Sequence, residues 1–318
     1  MSCEQSVASD VVVLYHAACH DGFCAAWVTH MVLPDAEFVP CHHGSDPPDV
    51  TGKKVYILDF SFPVDVMLSM QASTKIPMTV IDHHAKAMQE LIAAVKENSS
   101  PIEVVFDVEH SAGRLTFDYF KEAIGLMHIP FELGTDEEWF DFDFKEAIGL
   151  MHIPWIVEYT EDRDLFKHAL RDTHTVNAAL RSYPFSFDIW DALSYSFPLM
   201  IQEGTAILRY KNGLVESHAK HACMMYLDGH TVPVVCISTA GLISDVLAIL
   251  AVGRPFSASY FVDHSRNMVV FSLRSASDGV DVSEVAAKFG GGGHKHAASF
   301  RMSFVAFSAW YRCSGIMV

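Results

Sequence analysis

The sequence is short of positive charge. Lys and Arg number 22 against 39 Asp and Glu, giving a formal net charge of -17 at pH 7 over 318 residues. That balance excludes a broad basic face for coating long duplex DNA. A short nucleotide or a single phosphodiester held locally by metal ions stays open. No long basic track and no aromatic ladder for stacking single strands is present either. The opening MSCEQSVASD has no positive n-region and no apolar h-region, so no secretory leader is expected and the cytoplasm is the default location. Uninterrupted apolar runs are absent as well. The most apolar long window, Val232 to Val252, contains Ser238, Gly241, Ser244 and Asp245, and reads as a buried strand followed by a helix rather than a membrane span. The seven Cys are odd in number in a chain too long to need disulfide staples, which points to a reducing compartment.

What is present is apolar and rich in histidine. Half the residues are hydrophobic, enough for sizeable cores, and the length suits two domains. The 18 His call for a search for clustered metal or phosphate chemistry. Val11 to Tyr15, Lys54 to Phe60 and Met78 to Ile81 read as strands, with helices over Phe23 to Met31 and Ala85 to Glu97. Ile156 to Tyr159 reads as a further strand, and Thr173 to Tyr183 as a helix. Ile201 to Met225 reads as a long helical connector, although Gly204 and Gly213 weaken it. Strands at Val232 to Ser238, Ser259 to Asp263 and Met268 to Leu273, with a helix over Val282 to Phe289, make a second α/β unit. The ten-mer KEAIGLMHIP occurs twice, at Lys121 to Pro130 and Lys145 to Pro154, around an acidic insert. Two copies are too few for a solenoid and read as a recent local duplication or an error in the assembled gene. The insert reads as a solvated surface excursion.

Polar residues gather where the apolar strands end, the place where open α/β sheets bind ligands. His16 and Asp21 follow the first strand, with Cys19 and Gly22 in the same turn. Asp59 closes the second strand, Asp82-His83-His84 the third, and Asp162 and Asp164 follow the Ile156 segment. Imidazole and carboxylate suit manganese, iron or zinc, and four such clusters suggest a two-metal centre. Late in the chain, Gly290 to Gly293 precede His294. Backbone N–H groups without side chains can approach a phosphate there, and Arg274 with Ser275 can add a bidentate contact.

These residues carry a resemblance. HAACHDG at His16 to Gly22, LDF around Asp59 and IDHH at Ile81 to His84 resemble the DHH phosphoesterase superfamily. SLRS at Ser272 to Ser275 and FGGGGHKHAASF at Phe289 to Phe300 resemble its DHHA1 domain. The resemblance implies an α/β fold: an N-terminal parallel-sheet DHH domain, with a smaller C-terminal α/β DHHA1-type domain across a cleft. The boundaries it suggests are 8–198 for the first domain, with the duplicated insert near 117–155. A helical connector over 199–226, a second domain over 227–304 and a tail over 305–318 complete it. It implies two divalent metal ions, manganese first. His16 and Cys19 would serve one ion, Asp59 would bridge, and Asp21, His83 and Asp162 would serve the other, with Asp164 as rival to Asp162. His84 would face the phosphate. Arg274, Ser275, Gly291, Gly292, Gly293 and His294 would hold substrate. Cys19 departs from the Asp found in many members and, as a soft ligand, opens zinc or iron. A second departure is Ser299, where relatives commonly have Gly. The expected activity is hydrolysis of phosphodiester or phosphomonoester bonds in short oligonucleotides or small nucleotides. A non-catalytic nucleotide sensor and an exopolyphosphatase- or pyrophosphatase-like hydrolase stand as the alternatives. No membrane partner is expected, and the oligomeric state is left open.

Overall fold

In the computed structural model, residues 10–74, 76–127 and 153–313 are described. The chain divides into two compact units after Thr205. The end of the first ten-mer copy, the acidic insert and the second copy up to residue 152 lie outside the described residues.

The first unit is built on a parallel sheet. Its strands are β1 (Val11–His16), β2 (Glu37–Cys41), β3 (Lys54–Leu58), β4 (Thr79–Asp82) and β5 (Glu103–Phe106), in the order β2-β1-β3-β4-β5. Every neighbouring pair is parallel. The strands are apolar on both faces, as a sheet covered on both sides requires. Val13, Tyr56, Leu58 and Ile81 face one core, while Val12, Leu14, Val55, Ile57 and Val80 face the other. The first core is closed by α1 (His20–Val32), α4 (Ala112–Met127), α5 (Trp155–Asp164), α6 (Thr173–Leu180) and α7 (Phe187–Ser194). The second is closed by α2 (Val64–Ser73) and α3 (Ala85–Glu97). Because β1, β3 and β4 are adjacent and parallel, their carboxyl ends bring residues 16, 59 and 82–84 to one edge of the sheet.

The Ile156 segment is a helix, not the expected strand. Its β-branched Ile156 and Val157 suggested extension, but Pro154 sits at the N-cap and Trp155 packs on Tyr159 one turn later, at 6.4 Å between ring centroids. Pairs four residues apart meet in this way on a helix.

A long helix, α8 (Phe197–Ala219), leads into the second unit. It ends earlier than the expected Met225, because Cys223–Leu227 is a strand, β6. The turn Asp228-Gly229, with φ of +48° and +82°, returns it antiparallel onto β7 (His230–Cys236). That is the backbone a two-residue hairpin favours. After α9 (Ala240–Ala251) come β8 (Ser257–Asp263), β9 (Met268–Arg274), α10 (Val282–Ala287), β10 (Gly292–His294) and β11 (Ala297–Ser303). They form a mixed six-stranded sheet, β10-β11-β9-β8-β7-β6. The residues after Ser303, unassigned from sequence, form α11 (Phe304–Cys313), whose Phe307 is buried against Phe271 and Tyr260. The Val232 to Val252 window is a strand and a helix, as read from sequence. Among the described residues no helix is long and apolar enough to cross a membrane, and six Cys are free.

Candidate metal centre

Asp59 sits at the centre of the site. It follows β3 directly, is 1% exposed and adopts φ +55°. A left-handed non-glycine residue is strained, and such strain persists where surrounding structure fixes it. Here its N–H donates to the carbonyl of Ile81 on the neighbouring strand, at 2.9 Å. The side chain is thereby turned toward His16, whose Nδ1 lies 3.3 Å from Asp59 Oδ2, and toward His83, whose Nε2 lies 3.3 Å from Oδ1. The Oδ1 atom is buried and has no hydrogen bond of proper geometry among the described residues. A carboxylate oxygen left this way in a protein interior calls for a cation.

His83 is shared between carboxylates. Its Nε2 is 3.5 Å from Asp164 Oδ2 and 3.8 Å from Asp21 Oδ2, besides the Asp59 contact. Asp21 is placed by α1 and held by α4: Ala112 N–H donates to its Oδ2 at 2.7 Å and Gly113 N–H to its Oδ1 at 3.0 Å. Two N–H groups of a helix's first turn thus steady a carboxylate. Gly22 allows this arrangement. A Cβ on it would lie 2.6 Å from the carbonyl oxygen of His16 and 2.8 Å from the His16 Cβ. The close approach that the glycine permits is therefore to His16 itself.

Three groups of side chains could each hold a cation: His16, Cys19 and Asp59; Asp21, His83 and Asp164; and Asp59, Asp82, His83 and His84. Within each group the ligand atoms lie within 4.8 Å of one another. The donor set is nitrogen and carboxylate oxygen with one thiol, which fits a pair of divalent ions sharing Asp59. Crowding of these groups shifts their pKa values. Burial, with the Asp59 and Asp164 charges, pushes Asp21 above the usual carboxylate range. Burial likewise raises Asp164, and Asp59 adds to it. Burial opposes the charge on His83, but the Asp59 and Asp21 carboxylates raise it overall. Burial would raise Asp59 too, yet the donors His16, His83 and Cys19 hold it low. Burial and the neighbouring Asp59 keep the Cys19 thiol well above its ordinary range.

Asp162 and Asp164 lie in different surroundings. The resemblance made it a ligand with Asp164 as rival, and the structure sets Asp164 beside His83. Asp162 instead accepts the N–H groups of Ala169 at 2.7 Å and Leu170 at 3.3 Å, and the hydroxyl of Thr173. Burial works to raise its pKa, but these donors outweigh it and lower the pKa overall.

Sequence reasoning passed over the role of Asp82. Its buried Oδ1 accepts the N–H groups of His83 at 2.7 Å and His84 at 3.2 Å, and lies 2.7 Å from His84 Nδ1. It aims the half-exposed His84 ring and raises its pKa. The order D-H-H carried that signal: a carboxylate just before two histidines can bond both their backbones. Also missed were His20, Arg163 and Arg181, which share a cavity of about 280 Å³ with His16, Cys19, Asp21 and Asp164. On the other side, His43, Phe60, Ala85, Ala87 and His84 line a cavity of about 360 Å³.

In the second unit, Arg274 pairs with Ala297 across β9 and β11, and His294 pairs with Ala297 across β11 and β10. Residues opposite one another share a face, so Arg274 and His294 lie in one row with a small residue between. Arg274 is steadied by the Leu273 carbonyl at 2.8 Å and Ser244 Oγ at 3.0 Å. Ser275 Oγ lies 3.0 Å from His296 Nδ1. The glycines have a packing reason. A Cβ on Gly291 would lie 2.2 Å from the Ser299 carbonyl oxygen, and one on Gly293 would lie 2.5 Å from that of Ala297. Gly292 meets nothing within 4 Å. Ser299 stands opposite Gly292, where no side chain contends for space.

No family model matches the chain. It is 24% identical over 316 residues to the uncharacterized protein R106 of Acanthamoeba polyphaga mimivirus, covering 92% of this chain and 67% of that one. Among solved structures it is similar to the pGpG-specific phosphodiesterase PggH of Vibrio cholerae, at 13% identity and a TM-score of 0.48, covering 95% of this chain and 96% of that one. It is also similar to RecJ of Thermus thermophilus in complex with Mn2+, at 14% identity and a TM-score of 0.44, covering 95% of this chain and 51% of that one.

Proposed function

We propose that the chain is a metal-dependent phosphoesterase of the DHH/DHHA1 type, acting on short oligonucleotides or small nucleotides. One observation carries this reading: Asp59 joins the groups His16–Cys19–Asp59 and Asp59–Asp82–His83–His84, while His83 joins the latter to Asp21 and Asp164. A single carboxylate common to adjoining ligand groups is what a two-cation phosphoryl-transfer site needs.

His16, Cys19 and Asp59 would hold one cation, and Asp21, His83 and Asp164 with Asp59 the other. When bound, such a pair supplies Lewis acidity toward the phosphoryl group and acidifies a water. Manganese suits the carboxylate and imidazole donors, while Cys19 leaves zinc or iron available. The chain's own part is orientation and charge. Asp82 fixes His84 with its ring half-exposed, so the imidazole can donate to an oxygen of the phosphoryl group, and its raised pKa favours the charged form there. The 360 Å³ cavity beside His84, lined by Phe60, Ala85 and Ala87, offers an apolar surface for a nucleoside. Arg274 and His294 would take part in holding substrate phosphate, with Ser275 and Gly291 to Gly293 shaping that surface.

The net charge of -17 supports short substrates held at an end over long strands. The test offers metal-stripped protein a dinucleotide, a short RNA, a nucleoside bisphosphate, a cyclic dinucleotide and polyphosphate, each with manganese, zinc or magnesium. Asp59→Asn, which keeps the left-handed backbone accessible, runs beside it. Metal-dependent turnover of a nucleotide substrate, lost in the variant, supports the reading. Full turnover by Asp59→Asn under saturating manganese overturns the shared-cation assignment. Phosphate release from polyphosphate alone selects the exopolyphosphatase alternative.

A further inference from the structure

The cavity of about 360 Å³ that follows β2, β3 and β4 is walled by a ring and by one face of a helix. The ring is His43. It stands second in the turn His42 to Ser45, which the Ser45 N–H closes on the His42 carbonyl at 3.1 Å. Gly44, third in that turn, has φ +81°, the left-handed backbone that a type II turn needs there. The His43 side chain is exposed, yet its ring is held from two sides. Phe60, itself buried, packs on it at 5.0 Å between centroids, and the His16 ring meets it edge-on at 4.9 Å. The helix is α3. Its Lys86, Ala87 and Glu90 share a face, because residues three and four apart are neighbours on a helix, and all three line the cavity. Neither Lys86 nor Glu90 makes an ion pair among the described residues, not even with the other. Lys before Glu is the weaker order for such a pair. A cation and an anion thus stand side by side and unpaired in a cavity that also carries a fixed ring.

We propose that this cavity is a pocket for one nucleobase and that it selects guanine. The proposal rests on the nucleotide reading given above for its ligand. Guanine presents the O6 acceptor next to two donors, N1–H and the 2-amino group. Lys86 can donate to O6 while the Glu90 carboxylate accepts from both donors at once, a bidentate, charge-assisted contact. Adenine and cytosine offer the carboxylate one amino group each, and uracil offers one N–H flanked by two oxygens that face it. The base plane can stack on the His43 ring, as unpaired bases do on histidine. The lengths agree. From His84 to Glu90 the helix rises about 9 Å, which sets the base-reading pair one nucleoside away from the imidazole that faces the phosphoryl group. A single base pocket also agrees with a chain that has no aromatic ladder for long strands.

Two measurements keep the pocket and the activity apart. The first uses nucleosides, which carry no phosphoester, so it reads the pocket whatever the chain hydrolyses. Saturation-transfer NMR on the full chain with magnesium gives dissociation constants for guanosine, inosine, adenosine, cytidine and uridine. Guanosine should bind tightest by about tenfold or more, the worth of one hydrogen bond to a charged group. Inosine lacks only the 2-amino group, so Glu90→Gln should bring guanosine to within about twofold of inosine. Lys86→Met should weaken those two alike, and His43→Ala should weaken all five. Lys86 and Glu90 are exposed, and an unchanged thermal midpoint shows that their variants fold. Equal binding of the five nucleosides, no binding of any, or a guanosine preference that survives Glu90→Gln overturns the proposal. The second measurement compares kcat/KM, with manganese, on the homodinucleotides of the same five bases. A guanine preference that Glu90→Gln abolishes supports the pocket. Turnover without base preference overturns the pocket and leaves the phosphoesterase reading standing. Selective guanosine binding with no turnover of any dinucleotide does the reverse.

Discussion

Asp162 and Asp164 stand two residues apart at the end of α5 and serve different ends. Asp164 Oδ2 lies 3.5 Å from His83 Nε2, whereas Asp162 accepts the N–H groups of Ala169 and Leu170 in the loop that follows. Two residues on a helix point about 200° apart, whereas on a strand they share a face. The helix therefore sets only one of them beside His83.

Their substitutions separate accordingly. Asp162→Asn loses charge-assisted hydrogen bonds and should destabilise the protein by about 2 kcal/mol, read as a lowered denaturation midpoint, with metal affinity retained by the folded fraction. Because its pKa is lowered on folding, Asp162 stabilises the protein above the ordinary carboxylate range and loses that contribution as pH falls through its folded pKa. Asp164→Asn should leave stability nearly unchanged and weaken metal binding by tenfold or more. The reverse pattern in paired unfolding and metal titrations would return Asp162 to the ligand set.

The same pair shows what could be read in advance. The α/β units of the first sheet, and the polar residues at its strand ends, were legible because apolar β-branched runs stop at polar residues: Tyr15 before His16, Leu58 before Asp59, Ile81 before Asp82. The α5 segment was not, since Ile156 and Val157 favour extension locally and only packing against α1, α4 and α6 makes the helix win. Edge strands β2 and β5 were missed. Pro40 sits in β2, where an edge position tolerates a missing N–H. The Asp228-Gly229 hairpin signal was present but hidden behind an apparently continuous helical run. Arg163 and Arg181 left no trace, because nothing in sequence spacing says that a residue of α5 and one capping α6 will share a cavity.

Metal binding should release protons. In the metal-free site the neighbouring carboxylates hold His83 above its ordinary pKa, and burial with Asp59 holds Asp21 above its own. Both groups must lose protons to act as ligands. Apparent manganese affinity should therefore rise with pH through the raised values of Asp21, about 8, and His83, about 9, and level off above them. Calorimetry in buffers of different ionisation enthalpy should record net proton release. A pH-independent affinity with no buffer dependence contradicts the ligand roles of His83 and Asp21.

Gly22 tests the link between backbone and metal centre. Its missing Cβ leaves room for the His16 carbonyl, which a methyl group would approach to 2.6 Å. Gly22→Ala should cost about 1–3 kcal/mol of stability by overpacking and, by displacing His16, weaken the cation held with Cys19 and Asp59. Cobalt substitution reads this directly, through the absorption of a thiolate-bound ion. An unchanged spectrum and midpoint would mean that the turn relaxes without moving His16.

The glycine run of the second unit separates packing from ligand contact. Gly291 and Gly293 lie against the backbone of β11, at hypothetical Cβ distances of 2.2 and 2.5 Å from carbonyl oxygens, while Gly292 is open to solvent. Gly293 also has φ +148°, which side chains rarely adopt. Gly291→Ala and Gly293→Ala should each unpair β10 from β11 and lower the unfolding midpoint. Gly292→Ala should leave the stability within about 0.5 kcal/mol of wild type. Its kinetics then report on substrate alone: a rise in KM with kcat and stability unchanged places a ligand against Gly292. An unchanged KM there means that the run is glycine for the sake of β11, leaving any phosphate contact in this unit to the Arg274 and His294 row.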